Sequence, residues 1–519
     1  MKNRWTQAEL REATLWWVAS LTVGGRAYRW AESPLAINSD GGLLSVAGGL
    51  QGAQVDCQAP WMGLTPEARK ASLDLAPGAA KPADLISGRY SLDGAPAEVA
   101  LLREGDDWED RQVILRGYVV GYDWGGDDEI LSISAEETAD QDRGLLPDPG
   151  ALVSATTWPY ASENAVGMWY IMVYGTPGSS GVPAVPALFV ASTTVGGISD
   201  WLLVAGHPVV ATSCVVYDGT NSETLNILTV ADGAGRLVSV VDLATATTIA
   251  VDPSLDYQTG WTSAGALSVS GSDPGGAGSI LETVLTSSTL PIDRGILASS
   301  RDALNAFRIG AFIQEPISPM DWITQALLPL LPISVTTGPN GWRVSPIPMT
   351  PKSLDCIATI TAGDGYTQAV RIDRAQRVGF DTIANEIALK YALDVSSNAS
   401  SATATISGSG YDGVAHTDLQ SRLSQQTYGK RVKSLETVAV YDDSTAYRIV
   451  RWQAIAYGFT RTQVRYSLVQ SYAFLMAGDL VWLTDSRIKI DSPAWVQRAS
   501  LQSDGHIEVE LIIWEVPRG

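Results

Sequence analysis

Short runs of β-branched, aromatic and aliphatic residues, each closed by a glycine- or proline-bearing turn, recur along most of this chain. Glycine takes turn conformations that other residues avoid, and proline cannot continue a helix or donate to a sheet. With 49 Gly and 26 Pro among 519 residues, the chain is punctuated too often for a helical bundle. The pattern predicts a mainly β, multidomain fold with a few helices, of the α+β type.

The first strands are predicted as tight hairpins. In "LWWVASLTVGGRAYRW", Gly24-Gly25 separates two β-rich arms, which is the pattern of a two-residue hairpin turn. "RQVILRGYVVGYDWGGDDEILSISAEE" repeats the arrangement around "GGDDE". The Pro- and Gly-bearing connection that follows marks the end of a first β domain, residues 1–145.

An additional small β domain is expected over residues 146–275. Pro177, Pro183 and Pro186 predict an extended or loop-like path there rather than a central strand. From Leu188 onward, short apolar runs alternate with Gly, Asp and Asn turns. "SDPGGAGS" then has the composition of a flexible linker.

Helical signals appear in a third region, residues 276–350. "DRGILASSRDALNAF" has apolar residues near helical spacing. In "SPMDWITQALLPLLP", Ser318 can cap a helix, Pro319 fits its first position and Asp321 complements its dipole. Pro329 is expected to end or kink that helix. Two strands around "GPNG" complete the region.

The last region, residues 351–519, is expected to be a β domain with one helix. Its predicted elements are a strand, a polar Ser/Ala-rich loop and a helix, in "ANEIALKYALDV", "SSNASSATATISGSG" and "STAYRIVRWQAIAY". In "VRYSLVQSYAF", Val464, Tyr466 and Leu468 lie on one face of an alternating strand. The apolar face of "HIEVELIIWEV" is expected to complete a barrel; it comprises Ile507, Val509, Leu511 and Ile513.

The stretch "LMAGDLVWLTDSRIKI" predicts a reverse turn between buried strands. Gly478 can take positive φ, and the Asp479 carboxylate can accept a hydrogen bond from the backbone two residues on. A catalytic Asp479 would need an acid, base or nucleophile beside it, and the sequence offers no distinctive candidate. Replacing Asp479 by Asn is therefore expected to affect folding modestly and to abolish no turnover.

Acidic charge is concentrated toward the front of the chain. The totals are 35 basic and 56 acidic residues, a net charge of −21, and residues 1–350 carry −20 of it, with 18 basic and 38 acidic residues. Such a charge repels phosphate backbones and disfavours specific nucleic-acid binding. About half of the excess lies between Glu104 and Asp142, where 13 residues are acidic and two are basic. Solvated hairpin turns are the plain interpretation.

Catalytic and cofactor motifs are missing from the sequence. Its three cysteines are far apart and form no CxxC pair, and its three histidines have no HExxH spacing. A GxSxG elbow, a GxxxxGK loop and a GxGxxG after a strand are also absent. The sequence therefore predicts neither an enzyme nor a bound cofactor. The residues concerned are Cys57, Cys214, Cys356, His207, His416 and His506.

Two weaker signals leave alternatives open. Asp127, Asp128 and Glu129 could supply oxygen ligands to a hard cation such as calcium, although their spacing matches no known loop and solvated turns are favoured. The 17 Trp against 6 Phe could reflect sugar-stacking platforms, but core and interface anchors explain them equally well. The N-terminus does not read as a signal peptide, and no run is long and apolar enough to predict a membrane span.

Two stretches resemble the central tail hub (baseplate hub) proteins of long-tailed bacteriophages and gene transfer agents. They run from Leu281 to Pro348 and from Tyr428 to the end, and include "DRGILASSRDALNAFRIGAFIQEPISPMDWITQALLPLLP", "TYGKR", "DSTAYRIV" and "AGDLVWLTD". That family has a Pro-Gly-Asp or similar turn in the last pattern, where this chain has Ala477. The segments "RYSLDG" and "ILRGYVVGYDW" resemble the tube-like β domains of the same proteins. Residues 158–270 resemble no family.

The resemblance implies a structural protein, a homotrimer whose tail-tube-like β-barrel domains close a pseudo-sixfold ring. The ring would contact the distal tail protein, the tape measure protein and the tip or fibre proteins. It would be assembled in the host cytoplasm and located in the virion at the tail tip or baseplate, with no stable membrane anchor. DNA would pass through its channel without specific binding.

Two other classes of function stay open. One is a tail-associated glycan- or receptor-binding protein, if the middle β domain is a carbohydrate module. The other is a glycosidase that uses a carboxylate pair from the acidic hairpins.

Overall fold

The computed structural model describes residues 10, 13–59, 68–76, 85, 91–125, 130–137, 144–178, 182–194, 197–219, 221–261, 275–287, 292–338, 341–363, 369–371, 375–407 and 415–514. Within these residues, the mainly β, multidomain fold with a few helices predicted from the sequence is confirmed.

The chain divides into two compact units. The first comprises Met1–Ala139, Ser334–Val378 and Thr460–Val516, and the second comprises Asp140–Ile333, Gly379–Phe459 and Pro517–Gly519. Both units are built from segments that are far apart in sequence. The four continuous domains expected from the sequence stay a prediction beside this division.

The strands are, in chain order, β1 (Leu15–Val23), β2 (Arg26–Ala31), β3 (Leu35–Ser39), β4 (Gly42–Gly48), β5 (Leu50–Gln58), β6 (Lys70–Leu75), β7 (Pro96–Arg103), β8 (Gln112–Gly125), β9 (Ile130–Glu136), β10 (Met172–Gly175), β11 (Val185–Thr194), β12 (Gly197–Ala205), β13 (Ser213–Tyr217), β14 (Ser222–Ala231), β15 (Leu237–Asp242), β16 (Tyr257–Gly260), β17 (Gly310–Ile313), β18 (Ile333–Gly338), β19 (Gly341–Pro346), β20 (Ala358–Ala362), β21 (Ala369–Arg371), β22 (Gln376–Val378), β23 (Glu386–Asp394), β24 (Ala399–Ser407), β25 (Ala415–Thr417), β26 (Val432–Glu436), β27 (Arg461–Leu468), β28 (Leu480–Asp485), β29 (Ile490–Leu501) and β30 (Ile507–Ile513). The α-helices are Ala277–Ser287, Arg294–Leu304, Pro319–Trp322, Leu419–Tyr428 and Asp443–Tyr457. Short 3₁₀ turns cover Trp108–Asp110, Leu243–Thr245, Ser353–Asp355 and Gln470–Tyr472, and a π-helical turn covers Ile323–Leu327.

A single large sheet dominates the first unit. Its strand order is β21-β27-β30-β29-β5-β6-β9-β8-β7-β1-β2-β4-β3, with β28 pairing β29 and β20 on either side. Strands β5 and β29 are antiparallel, with Cys57 opposite Ala499. Arg498 forms an ion pair of 2.6 Å with Asp56 at the same junction. The N-terminal and C-terminal stretches of the chain therefore share one sheet.

The hairpin predicted around Gly24-Gly25 is confirmed. Strands β1 and β2 pair with Val23 opposite Arg26, and the two glycines between them have φ of 58° and 80°. A tight hairpin turn with positive φ at both central residues matches the right-handed twist of its strands. Glycine takes these angles without the steric cost that a Cβ imposes.

The apolar side chains of β27 and β30 lie in the core of the first unit. Strand β27 buries Val464, Tyr466 and Leu468, as its alternating sequence predicts. Strand β30 buries the four residues of its predicted apolar face, namely Ile507, Val509, Leu511 and Ile513. Each large apolar side chain removed from water contributes about 1.5–3 kcal/mol to folding. This face therefore stabilises the sheet from within.

A closed six-stranded barrel forms part of the second unit, in the order β11-β12-β15-β14-β13-β16. It corresponds to the short apolar runs after Leu188. Pro186 takes an extended path, as predicted, within strand β11 and opposite Gln258 of β16. The pairing of β11 with β12 begins only at Leu188. Pro186 has no N–H to donate, and it therefore lies in the part of β11 that pairs only with β16.

A sheet with the order β25-β24-β23-β26 and a long helix form another part of the second unit. The predicted helix is present as Asp443–Tyr457; the Asp442 carboxylate caps it by accepting a hydrogen bond from the Thr445 N–H at 2.7 Å. The predicted Ser/Ala-rich loop is wrong, because Ala399–Ser407 is strand β24 and pairs along β23. Ala404 and Ile406 of this strand are buried.

The helix predicted in "SPMDWITQALLPLLP" begins as expected. The Ser318 Oγ accepts a hydrogen bond from the Asp321 N–H at 3.0 Å, and Pro319 occupies the first turn. The helical path continues through Ile323–Leu327 and ends before Pro329. The Pro329 carbonyl accepts a hydrogen bond from the Gln453 side chain at 2.9 Å.

Candidate functional site

The three weak metal-ligand candidates, Asp127, Asp128 and Glu129, lie outside the described residues. A cation held by them stays a prediction. Among the residues that the structure describes, no group of three or more His, Cys, Asp or Glu side chains is placed to hold a metal ion. No helix in the described part of the chain is long and apolar enough to cross a bilayer.

Acidic side chains on β7 and in the connection that follows it have arginine partners. Asp106 forms an ion pair with Arg103 at 2.7 Å. Across the hairpin, Glu98 contacts Arg111 at 2.6 Å and Arg116 at 2.8 Å. The guanidinium of Arg111 also lies 4.4 Å from the ring centroid of the buried Trp108. Asp106, within the acidic segment, therefore has an arginine partner, whereas Glu98 precedes the segment on β7.

Glu137, which also belongs to the acidic segment, is buried. Its side chain faces Arg69, which is itself 1% exposed and donates a hydrogen bond to the Ile114 carbonyl at 2.6 Å. Burial raises the pKa of Glu137, and the positive charge of Arg69 opposes that rise. One carboxyl group of the acidic segment therefore belongs to the interior of the first unit.

The "AGD" segment is a closed turn before β28, as predicted. Gly478 has φ of 88° and donates its N–H to the Val496 carbonyl at 2.8 Å. The Asp479 carboxylate accepts a hydrogen bond from the Met476 N–H at 2.7 Å, and the Asp479 N–H donates to the Met476 carbonyl at 3.1 Å. The carboxylate therefore bonds to the backbone three residues earlier, rather than two residues later as the sequence suggested.

The sequence gives no sign of the charged partner of this turn. Arg343, on β19, places its Nη2 3.3 Å from an Asp479 oxygen and its Nη1 3.4 Å from the Met476 sulfur. Both charged side chains are buried. An aspartate held by a backbone N–H and a buried guanidinium has the contacts of a structural group. The geometry supports the turn interpretation of Asp479 over a catalytic one.

Strand β8 also exposes apolar side chains to solvent. Tyr118, Val120, Tyr122 and Trp124 of β8 are all exposed, with Trp124 at 46%. Exposed aromatic residues on one strand are a feature of contact surfaces. The sequence marks them only as β-rich residues, because exposure depends on which neighbours cover the strand.

A segment of the chain matches a family of phage tail proteins. Residues 353–495 match the family described as "Putative phage tail protein". The match spans between a quarter and a third of the chain and contains the Asp479 turn. The resemblance to phage tail proteins found in the sequence is thereby supported from Tyr428 to Trp495, where the two ranges overlap. A search of curated proteins gave no match.

Three solved structures with similarity to the chain are tail proteins or part of a virion. The tail protein from Neisseria meningitidis MC58 is 11% identical, with 96% of this chain and 98% of that one covered and a TM-score of 0.40. The 43 kDa tail protein of prophage MuSo2 from Shewanella oneidensis is 10% identical, with 96% and 98% covered and a TM-score of 0.40. A chain of the native gene transfer agent virion is 14% identical, with 71% and 88% covered and a TM-score of 0.40. These TM-scores are too low to carry an argument about function.

Proposed function

We propose that the protein is a structural component of a phage tail, the central hub that closes the distal end of the tail tube. The observation that carries the proposal is the phage tail family match over residues 353–495. In this role the protein links the tail tube to the distal tail, tape measure and tip or fibre proteins. It acts as a homotrimer at the tail tip or baseplate, after assembly in the host cytoplasm.

The contacts within the first unit suit a structural component of a phage tail. One sheet joins strands from both ends of the chain, and the β5–β29 junction is reinforced by the Arg498–Asp56 ion pair. The buried Arg343–Asp479 pair fixes the turn before β28. Long-range pairing of this kind resists local opening, because no single segment can leave without breaking the shared core.

Part of the acidic segment Glu104–Asp142 faces the DNA channel in this proposal. The net charge of the chain is −21, and phosphates do not adhere to a wall that carries carboxylates. Glu104, Asp107, Asp110 and Asp123 are exposed and free to serve as lumen charges. The buried Glu137 does not take part.

Assembly tests the hub role directly. The purified protein should be trimeric, or become so when mixed with its distal tail partner, in light scattering after size exclusion. A deletion of the gene should give particles without a functional tail tip, and supply of the protein in trans should restore them. A strictly monomeric protein that never enters particles would contradict the proposal.

Charge reversal tests the lumen. Changing Glu104, Asp107, Asp110 and Asp123 to Lys should leave particles assembled but slow DNA ejection, because phosphates would bind the wall. The control changes four exposed carboxylates outside the segment to Lys: Asp40, Asp93, Asp381 and Glu508. Normal ejection by the segment variant, or an equal loss in both variants, would overturn the lumen assignment.

A further inference from the structure

A cleft of about 640 Å³ lies on the barrel of the second unit. Pockets of 300–1,000 Å³ that combine apolar walls with a few polar groups are typical of small-molecule sites. The described residues that line it are Tyr160, Ala161, Ser162, Glu163, Asn164, Phe189, Asp200, Val251, Pro253 and Ser254.

One wall of the cleft is a loop held in place by buried hydrogen bonds. The Trp158 indole N–H donates to the Tyr170 hydroxyl at 3.0 Å, and that hydroxyl donates to Asp232 at 2.7 Å. The Ser162 N–H donates to the Phe189 carbonyl at 3.2 Å. Tyr160, Glu163 and the residues between them are therefore presented on a fixed backbone.

The part of the cleft formed by Val251, Pro253 and Ser254 is also held in place. The Tyr257 hydroxyl donates to the Ala250 carbonyl at 2.5 Å and accepts from the Asp252 N–H at 2.9 Å. The ring of Tyr257 stacks on that of Phe189, which also lines the cleft, with centroids 6.2 Å apart. Walls that are already ordered lose little entropy when a ligand binds.

The side chains in the cleft select a particular ligand chemistry. Tyr160 is 54% exposed and, with Val251 and Pro253, offers an apolar surface. Glu163 and Asp200 supply carboxylate oxygens that accept hydrogen bonds from a ligand. None of the described lining residues is basic, so an anionic ligand would meet repulsion without compensation.

A ligand that fits needs an apolar face and several hydroxyl donors around its edge. A sugar ring has both, because its axial C–H groups form a face and its hydroxyls lie at the rim. The side-chain amide of Asn164 and the hydroxyl of Ser162 add neutral partners that a simple amine would leave unused. The Ser254 hydroxyl donates to Asp252 at 2.7 Å and offers a ligand only an acceptor.

We propose that this cleft binds a neutral oligosaccharide. One sugar ring stacks on Tyr160, while Glu163 and Asp200 accept hydrogen bonds from its hydroxyl groups. The proposal goes beyond a hub role and is independent of it, because a hub can assemble whether or not the cleft is occupied. It gives the barrel a role in recognising a polysaccharide surface.

The test uses the full chain and three neutral trisaccharide probes: chitotriose, maltotriose and cellotriose. Titration calorimetry and saturation-transfer NMR should show binding of at least one probe. Tyr160→Ala should weaken that binding about tenfold, whereas Tyr160→Phe, which keeps the ring, should retain it. Glu163→Gln and Asp200→Asn should each weaken it. Val166→Ala is the matched control, because Val166 is exposed on the same loop and does not line the cleft.

Tyr160 and Glu163 are exposed, so their variants should fold, and an unchanged melting temperature checks this. Absence of binding to all three probes, or equal binding by wild type and Tyr160→Ala, would overturn the proposal. Binding of an N-acetyl-lysine methylamide probe in place of the sugars would overturn it in favour of a cation site.

Discussion

The guanidinium of Arg343 lies 3.3 Å from the carboxylate of Asp479, and both side chains are buried. The contact joins strand β19 to the turn before β28, across 136 residues of sequence. Two charges taken out of water are tolerated when each compensates the other. Removing Asp479 alone leaves the buried Arg343 guanidinium without the carboxylate that it contacts.

Asp479→Asn should therefore destabilise the protein by about 3 kcal/mol, more than the modest effect expected from the sequence. Urea unfolding followed by circular dichroism measures the loss. Asp302→Asn is the control, because Asp302 is 83% exposed beside Arg301 and its ion pair should contribute nothing measurable.

A double variant separates the pair from the turn. Arg343→Met combined with Asp479→Asn should be less destabilised than the sum of the two single variants, because the contact between the two side chains can be lost only once. Strict additivity would show that the two side chains do not act as a pair.

Gly478→Ala should lower the free energy of unfolding by more than Gly94→Ala. Both glycines have positive φ, 88° and 74°, so both variants suffer backbone strain of about 1–2 kcal/mol. A methyl group at Gly478 would also lie 3.1 Å from the Thr336 Cγ2, whereas nothing lies within 4 Å of one at Gly94. Denaturant midpoints compare the variants, and equal losses would contradict the crowding at Gly478.

Because of His207, the free energy of unfolding should decrease in mild acid. The Val173 N–H donates to its Nε2 at 3.1 Å, and its Nδ1 lies 2.9 Å from the Pro208 carbonyl, so the neutral ring with its proton on Nδ1 fits the site. Burial lowers the pKa of His207 from its ordinary 6.5. Because the unfolded chain takes up this proton first, the stabilisation is complete above pH 6.5 and is lost as the pH falls below it.

Unfolding curves at several pH values between 8 and 5 check this, with His207→Gln for comparison. The variant should lose part of the pH dependence. In the folded protein, the NMR signal of the His207 ring should show less than half protonation at pH 6.5. A wild-type ring that is half protonated at that pH would contradict the prediction.

Tyr170→Phe should cost about 1–2 kcal/mol, because the Trp158 N–H loses its acceptor and the buried Asp232 loses a donor. The same change should weaken sugar binding, since this network holds the cleft loop. Tyr118→Phe, at a half-exposed side chain, should leave thermal stability unchanged.

Burial raises the pKa of Tyr170 to about 12, so the absorbance of Tyr170 should not change below pH 10 in the folded protein.

Local features of the fold are predictable from the sequence. Gly24-Gly25 specifies its turn, Ser318 and Pro319 specify a helix start, and the alternation of β27 specifies its buried face. Each signal lies within a few residues of the structure that it forms. Strand β24 escapes prediction because serine and alanine have weak β propensity, and pairing with β23 overrides it.

Long-range partners are not predictable in this way. Neither the pairing of β5 with β29 nor the contact of Arg343 with Asp479 leaves a local pattern. The cleft is likewise formed by four separate stretches, around Tyr160, Phe189, Asp200 and Val251, which the fold of the second unit brings together. The sequence indicates a surplus of tryptophan, but the exposed aromatic residue in the cleft is a tyrosine.

The most direct test of the hub proposal is a cryo-electron microscopy map of particles that contain the protein. We predict three copies in a ring at the distal end of the tail tube, with the Glu104–Asp142 segment facing the channel. A map that places the protein outside the tail, or in the tail with the ring absent, would contradict it.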